Sequence, residues 1–397
     1  MKIRSTIARC SVFLFALLFC LLTAACGTNT PPETSEIHTT NVKRTDLAEY
    51  GNFVYCNGGR IYRFNRVTET FNTACMNPEC EGDCPLDCIV NFFAGAYDGC
   101  VYFCAYQQFT HYTFLACQDI ATGEVKVLKK LEDIEDSGIN TTFIEDGYWY
   151  YQCMRLKPGG NAAEPEDYED YICRISLNGS TEEPVFKCEE TEHLQIGGGG
   201  KIITVNEDRI YATDIESKEK KELFNATAQG YTTISNNFSY LDGRIYFTAL
   251  SNQTQHVEYT GGERNMSFLL WADVKTGENG RLLEEPVTDF CITDDTVYYL
   301  PFKLRYLFVP EDYEEHPEDV KTFFVDETLY ACDLKGDNSR EVYTNEKLTF
   351  APFTVIDGVL YGWMQDYDEE THWWNRKMFF GAIELETGRI IRSENSE

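Results

Sequence analysis

The sequence predicts an all-β fold, a single β-propeller of four-stranded blades, and three observations lead to this expectation. One turn signal followed by a short β-branched and aromatic run returns seven times along the chain. Tyr and Phe are abundant, with 25 and 26 copies in 397 residues, and no helical periodicity of useful length occurs. Four antiparallel strands repeated every roughly 40 to 60 residues are typical of propeller blades. We expect seven blades, with six or eight as alternatives because the first repeat lacks an obvious innermost strand.

The repeated turn signal pairs Asp, Asn or Glu with Gly or Asp directly before a strand. Asp and Gly tolerate the positive φ angles of tight hairpin turns, so each signal predicts a hairpin. The seven signals are Asn57-Gly58, Asp98-Gly99, Asp146-Gly147, Glu207-Asp208, Asp242-Gly243, Asp294-Asp295 and Asp357-Gly358. A later turn follows most of them and predicts the last strand of the unit, as at Thr122-Gly123, Thr276-Gly277 and Thr387-Gly388.

The N-terminus has the pattern of a signal peptide. Lys2, Arg4 and Arg9 precede an apolar run from Val12 to Leu22, and Thr23-Ala24-Ala25 leads into Cys26. A charged, an apolar and a small-residue region in this order are typical of export signals, and the run is shorter than the about 20 residues that a membrane-spanning helix needs. The segment 22–26 resembles the bacterial lipobox, which implies cleavage before Cys26 and lipid attachment to it. Ordinary cleavage beside an incidental cysteine is the alternative.

Three segments are therefore expected: a signal peptide at 1–25, the lipidated cysteine with a polar tether at 26–46, and the propeller at 47–397. A polar stretch without apolar periodicity acts as a flexible tether, and more than one acyl chain gives stable membrane anchoring. The propeller is then an extracytoplasmic body, held at the surface of a bacterial cell membrane. The net charge of −31 argues against nucleic acid and anionic lipid headgroups as partners, because both need basic patches.

The repeats resemble those of a known propeller family. Ile210-Tyr211-Ala212-Thr213-Asp214 is similar to the Tyr-Trp-Thr-Asp repeat of low-density-lipoprotein-receptor-related proteins. The mature chain resembles lipoproteins of Firmicutes, many from Clostridia, that carry such a propeller. Their early blade holds a segment with, in order, a Cys, an Asn/Asp-Pro pair, a second Cys, an acidic or His residue, and a Cys-Pro pair; here it is 75–85. The resemblance implies a propeller and no established activity. The sequence departs from the pattern at Glu81-Gly82-Asp83, where a His is common, and by adding Cys88.

Thirteen cysteines follow Cys26, so at least one is not in an intrachain disulfide. Four of them fall close together: Cys75, Cys80, Cys84 and Cys88. Four thiolates at this spacing could close a tetrahedral zinc site, two disulfides would staple the same segment, and free thiols are the third alternative. Other cysteines lie inside strand patterns and are expected in the core as small hydrophobes, namely Cys56, Cys100, Cys104, Cys117, Cys173 and Cys332.

Enzyme motifs are mostly missing from the sequence. The six His residues form no His-Glu-x-x-His pair, and no Gly-x-Ser-x-Gly elbow occurs. The run Gly197-Gly198-Gly199-Gly200-Lys201 looks like a phosphate loop, but a strand follows it and no Lys-Ser/Thr step opens a helix. We expect this run to form a flexible loop between blades. No catalytic residue is predicted.

Loops between the second and third strands of three blades share an acidic and aromatic character. In a propeller these loops emerge on one face, where we expect candidate ligand contacts at Asp167, Tyr168, Asp312, Tyr313, Tyr367, Asp368, Trp373 and Trp374. Clustered carboxylates with aromatic rings suit Ca²⁺ with a stacked glycan, or a basic protein segment. The alternative is that the acids are solvated and the rings fold back on neighbouring blades. These features predict a binding module for a protein or carbohydrate ligand, with a carbohydrate-active or hydrolytic enzyme and an envelope assembly scaffold as alternatives.

Overall fold

The computed structural model describes residues 47–57, 61–74, 88–107, 112–131, 141–157, 159–161, 164, 167–256, 263–302, 306–308, 321–323, 327–345, 348–368 and 373–392. They form seven four-stranded antiparallel sheets and one two-stranded hairpin. Each sheet is built from one continuous stretch of chain, with its strands paired in chain order. The all-β, seven-bladed propeller expected from the sequence is confirmed.

The first four blades run from the innermost to the outermost strand as follows. Blade 1 contains β1 (Leu47–Tyr50), β2 (Phe53–Asn57), β3 (Ile61–Asn65) and β4 (Thr70–Ala74). Blade 2 contains β5 (Cys88–Tyr97), β6 (Cys100–Gln107), β7 (Tyr112–Asp119) and β8 (Val125–Leu131). Blade 3 contains β9 (Thr142–Glu145), β10 (Tyr148–Leu156), β11 (Tyr168–Ser176) and β12 (Glu182–Lys187). Blade 4 contains β13 (Glu192–Gly198), β14 (Lys201–Asn206), β15 (Arg209–Asp214) and β16 (Lys220–Asn225).

The last three blades follow the same plan, and blade 6 carries the additional hairpin. Blade 5 contains β17 (Tyr231–Leu241), β18 (Arg244–His256), β19 (Glu263–Asp273) and β20 (Asn279–Arg281). Blade 6 contains β21 (Val287–Ile292), β22 (Thr296–Pro301), β25 (Glu327–Asp333) and β26 (Arg340–Asn345), with β23 (Tyr306–Phe308) and β24 (Lys321–Phe323) inserted between its second and third strands. Blade 7 contains β27 (Leu348–Ile356), β28 (Val359–Asp368), β29 (Trp373–Glu384) and β30 (Ile390–Arg392).

The turn signals mark hairpins, but not always the same one. Four Asp-Gly signals connect strands 1 and 2 of their blades, with positive φ at both residues, for example 46° at Asp98 and 77° at Gly99. These are the angles of the tight turn that suits the twist of two paired strands. Asn57 instead ends β2, the second strand of blade 1, and Glu207-Asp208 lies between strands 2 and 3 of blade 4. Blade 1 also has the innermost strand, β1, that its sequence pattern did not reveal.

The expectation that the run from Gly197 to Lys201 forms a loop between blades is wrong. Gly197 and Gly198 end β13, and the next two glycines turn the chain into β14 within blade 4. A Cβ on Gly197 would lie 2.1 Å from Cζ of Phe143 in blade 3, and one on Gly198 would lie 2.2 Å from Cε1 of Tyr240 in blade 5. Gly197 and Gly198 lack side chains because aromatic rings from both neighbouring blades occupy that space.

The hydrophobic core is divided among the contacts between blades. The described buried residues form seven clusters, and each cluster combines residues of two neighbouring blades. Along β6, Val101 and Phe103 join the cluster shared with blade 1, whereas Tyr102 and Cys104 join the cluster shared with blade 3. Side chains alternate between the two faces of a strand. Both faces of these strands are therefore buried, which explains their nearly continuous apolar runs.

The ring closes between blades 1 and 7. Phe64 of blade 1 and Phe380 of blade 7 belong to one buried cluster, and the Arg389 guanidinium of blade 7 donates to the Glu69 carboxylate of blade 1 at 2.7 and 2.9 Å. Since every blade is complete within its own stretch of chain, side-chain packing and ion pairs make this closure. In the part of the chain that the structure describes, no helix has the length and apolar character needed to cross a membrane.

Candidate binding face

Several middle hairpins are much longer than a blade requires. In blade 4 the second and third strands have 6 residues each, whereas in blade 5 they have 13 and 11 and in blade 7 they have 10 and 12. Because antiparallel strands alternate in direction, the ends of all these hairpins lie on the same face of the propeller. We call β10–β11, β18–β19, β23–β24 and β28–β29 the crown hairpins.

The crown hairpin of blade 3 holds two of the predicted ligand residues, and one of them has a local structural contact. The carboxylate of Asp167 accepts a hydrogen bond from the backbone N–H of Asn161 at 2.7 Å, which fixes the hairpin end. Tyr168 is half-buried and stands directly opposite Leu156, whose side chain is 42% exposed. Nearby, the Lys187 ammonium lies 2.8 Å from the Glu169 carboxylate and lowers its pKa.

The crown hairpin of blade 7 holds four predicted ligand residues in direct register. Tyr367 pairs with Trp374, and Asp368 pairs with Trp373. At the base of this hairpin the carboxylate of Asp366 accepts a hydrogen bond from the Arg392 guanidinium at 2.7 Å. The register therefore gathers these four residues at one hairpin end, although they are separated in sequence by a loop.

The remaining predicted sites are only partly covered by the structure. Asp312 and Tyr313 lie outside the described residues, and so do Cys26, Cys75, Cys80 and Cys84. Cys88 begins β5, where its backbone pairs with Gln107. Among the residues that the structure describes, no group of three or more His, Cys, Asp and Glu side chains could hold a metal ion.

Blades 3 and 7 do not adjoin in the ring, because blades 1 and 2 separate them on one side. The structure thus places Asp167 and Tyr168 in one crown hairpin and the four residues of blade 7 in another. The predicted ligand residues that the structure describes therefore share a face rather than a single cluster.

A second polar group, which the sequence analysis missed, lies between blades 2 and 3. One carboxylate oxygen of Glu182 accepts hydrogen bonds from Lys129 Nζ at 2.9 Å and Tyr151 Oη at 2.8 Å, and it also pairs with the Arg155 guanidinium. Burial favours the protonated acid, but the hydrogen bonds from Lys129 and Tyr151 outweigh it and lower the pKa of Glu182. We call these four residues the Glu182 cluster.

The Glu182 cluster extends to a pair of buried cysteines. Nε of Arg155 donates to Sγ of Cys173 at 3.2 Å, and the thiol of Cys153 donates to the same sulfur at 3.3 Å. The spacing of Cys153 and Arg155 along one strand predicts a shared face. Only the pairing of β10 with β11 shows that Cys173 lies beside both, since the register cannot be read from the sequence.

The fold is shared with larger proteins of known structure. The chain is similar to a structure from a study of two prolyl endopeptidases, with 12% identity and a TM-score of 0.54 over 90% of this chain and 50% of that chain. It is also similar to an acylaminoacyl peptidase of Pyrococcus horikoshii, with 13% identity and a TM-score of 0.50 over 91% of this chain and 53% of that chain.

The chain spans about half the length of these two proteins. At this level of identity the likeness shows the propeller fold alone. No protein-family model and no curated protein sequence matches the chain.

Proposed function

We propose that this protein is an extracytoplasmic lipoprotein, anchored to the cell membrane through Cys26, whose crown hairpins bind a protein or carbohydrate ligand. The observation that carries the proposal is the length of the crown hairpins on one face. In blade 5 the described core residues of β18 end at Ala249, yet the strand continues to His256. The outer part of β18 therefore adds little to the cores between blades, and its residues 252–255 are exposed and available for a ligand.

The described side chains of the crown favour binding over acid–base catalysis. Glu169 is paired with Lys187, and the Asp167 carboxylate is engaged by a backbone N–H. A carboxylate held in such contacts is poorly placed to exchange protons with a substrate. Exposed Leu156 supplies apolar surface in blade 3, and the strand register places Tyr367, Trp373 and Trp374 at the end of the blade 7 hairpin. Apolar and aromatic residue types stack on sugar rings or anchor a protein segment.

The anchoring part of the proposal is tested by metabolic labelling with an alkyne fatty acid in the bacterium that makes the protein. The wild-type chain should carry the label and sediment with membranes. The Cys26→Ala variant should lose the label and leave the membrane fraction. Label that persists in this variant, or an unlabelled wild-type chain, would contradict lipid attachment at Cys26.

The binding part is tested with the full chain in detergent on a glycan array and on an array of 15-residue peptides. Leu156→Ser, Trp373→Ala and Trp374→Ala should each weaken binding to whichever probe the wild type recognises. Val67→Ser is the matched control, because Val67 is 68% exposed in the turn between β3 and β4, on the opposite face. No binding to either array, or equal binding by all four variants, would contradict a ligand site at the crown.

A further inference from the structure

Two buried cysteines on neighbouring strands of blade 3 are in direct sulfur contact. Cys153 on β10 and Cys173 on β11 are both free and fully buried. Cys153 pairs with Tyr171 and Cys173 pairs with Tyr151, so the two cysteines are diagonal neighbours on one face of the sheet. Their sulfurs lie 3.3 Å apart. Side-chain rotation and a small strand shift can bring them to the about 2.05 Å of a disulfide bond.

Two hydrogen-bond donors converge on one of the two sulfurs. Sγ of Cys173 accepts from both the Cys153 thiol and Arg155 Nε, and Arg155 is itself held by Glu182. The hydrogen bond from Cys153, together with the Arg155 charge, lowers the pKa of Cys173 despite its burial. A thiolate is the nucleophile in thiol–disulfide exchange, so Cys173 is suited to attack and Cys153 to resolve.

A second pair of cysteines on diagonal positions of blade 2 provides a natural comparison. Cys100 and Cys117 also share a hydrogen bond, but burial and the negative charge of Asp119 raise the pKa of Cys100. Burial and the neighbouring Cys100 raise the pKa of Cys117 to about 11. Neither thiol of this pair has a lowered pKa, in contrast to Cys173 beside Arg155.

We propose that Cys153 and Cys173 form a redox-active dithiol that is converted to a cross-strand disulfide by exchange with a small or protein-borne disulfide. The Cys173 thiolate attacks one sulfur of the external disulfide, forms a mixed disulfide and releases one thiolate. Cys153 then loses its proton to that thiolate and attacks the Cys173 sulfur, which releases the second thiolate. This thiolate takes up the proton that Cys173 gave to solvent when it ionised. Two electrons pass from the cysteine pair to the external disulfide, which leaves as two thiols. A dithiol reductant reverses the sequence.

The test is an equilibrium titration of the full-length protein in detergent with oxidised and reduced glutathione. Because both sulfurs are buried, equilibrium is approached from the native reduced protein and from denatured protein refolded in the same buffer. Samples are quenched in acid, alkylated in denaturant and mapped by mass spectrometry. We expect both routes to give the same Cys153–Cys173 cross-linked peptide, and Cys100 and Cys117 to remain alkylated in buffers where this peptide predominates.

Two further variants examine the role of Arg155. Arg155→Gln should slow native exchange at pH 7 about threefold for each unit by which the pKa of Cys173 rises, because the thiolate fraction falls about tenfold while the nucleophilicity of the more basic thiolate rises about threefold. Arg155→Lys should restore part of the rate. A merely structural arginine would change folding stability without changing the exchange rate of the folded protein. The proposal is overturned if refolded wild-type protein lacks the Cys153–Cys173 bond at equilibrium, if Cys100 and Cys117 oxidise equally readily, or if Arg155→Gln exchanges at the wild-type rate.

Discussion

Substitution of Gly197 by Ala should destabilise the propeller through one steric contact between blades. Three atoms of the Phe143 ring would lie within 2.7 Å of the new Cβ. The ring is buried and stacked on Tyr150 at a centroid distance of 4.8 Å, so it has little room to move. Overpacking of a close-packed core costs about 1–3 kcal/mol, and the closeness of this contact places the expected cost at about 3 kcal/mol.

The expected change in melting temperature follows from the size of the propeller. With about 350 residues and about 2.1 cal/mol/K of unfolding entropy per residue, a loss of about 3 kcal/mol lowers Tm by about 4 °C. Differential scanning calorimetry and guanidinium denaturation followed by Trp fluorescence measure the two quantities. Gly197 has no positive φ, so backbone strain adds nothing to this cost.

Two control variants separate the steric effect from others. Gly200→Ala is the matched glycine substitution, because φ is 75° and nothing lies within 4 Å of its Cβ; backbone strain alone should cost about 1 kcal/mol. In a Phe143→Leu background, Gly197→Ala should cost less than about 1 kcal/mol, because the ring is gone. The reasoning is refuted if Gly197→Ala costs the same in both backgrounds or no more than Gly200→Ala.

Three further outcomes are expected. Gln152→Ala should lower the free energy of unfolding by about 2–4 kcal/mol in guanidinium titrations, because the buried Gln152 amide joins β10 to the backbone of β13 and accepts from the Leu194 N–H at 2.7 Å; an unchanged midpoint would refute this. Glu182→Gln should lower the free energy of unfolding by its full amount at pH 7, where the wild-type carboxylate is ionised. The loss should shrink as the pH falls below about 4.3, the pKa of Glu in the unfolded chain, because the folded-state pKa of Glu182 is lower. A difference that does not change with pH would count against the ion-pair explanation. In the segment 75–88 we expect disulfides. Metal analysis should then find no bound metal, and a thiol assay should find few reactive thiols before reduction. About one zinc per chain, lost with Cys80→Ser and Cys84→Ser, would establish a zinc site instead.

Much of the fold could be predicted from the sequence because its local signals are short-range. Asp98-Gly99 and Asp242-Gly243 adopt the positive φ angles that their side chains permit, and these angles depend on neighbouring residues rather than on distant contacts. Seven such signals were enough to predict the blade number. They were not enough to tell which two strands of a blade each turn connects, because a turn dipeptide carries no information on which strand is innermost.

The site residues were less predictable because they depend on register and on contacts between blades. Tyr367 and Trp374 could be assigned to one loop region, but their pairing follows from a bulge between Gln365 and Tyr367 that no motif marks. The Glu182 cluster joins Lys129 from one blade to Arg155 and Tyr151 from the next. Residues so distant in sequence meet only because two twisted sheets pack face to face.

The sequence by itself determined the strand periodicity and most of the turn positions, since each is a property of contiguous residues. The export and lipidation pattern at the N-terminus is also contiguous, and it stays a prediction. Only the tertiary structure decided how the ring closes and why the glycine run exists. Gly197 and Gly198 are adjacent on one strand, yet they accommodate Phe143 and Tyr240 from opposite neighbours. The physical reason is that each blade buries both faces, so the space available to a residue is set by side chains of another blade.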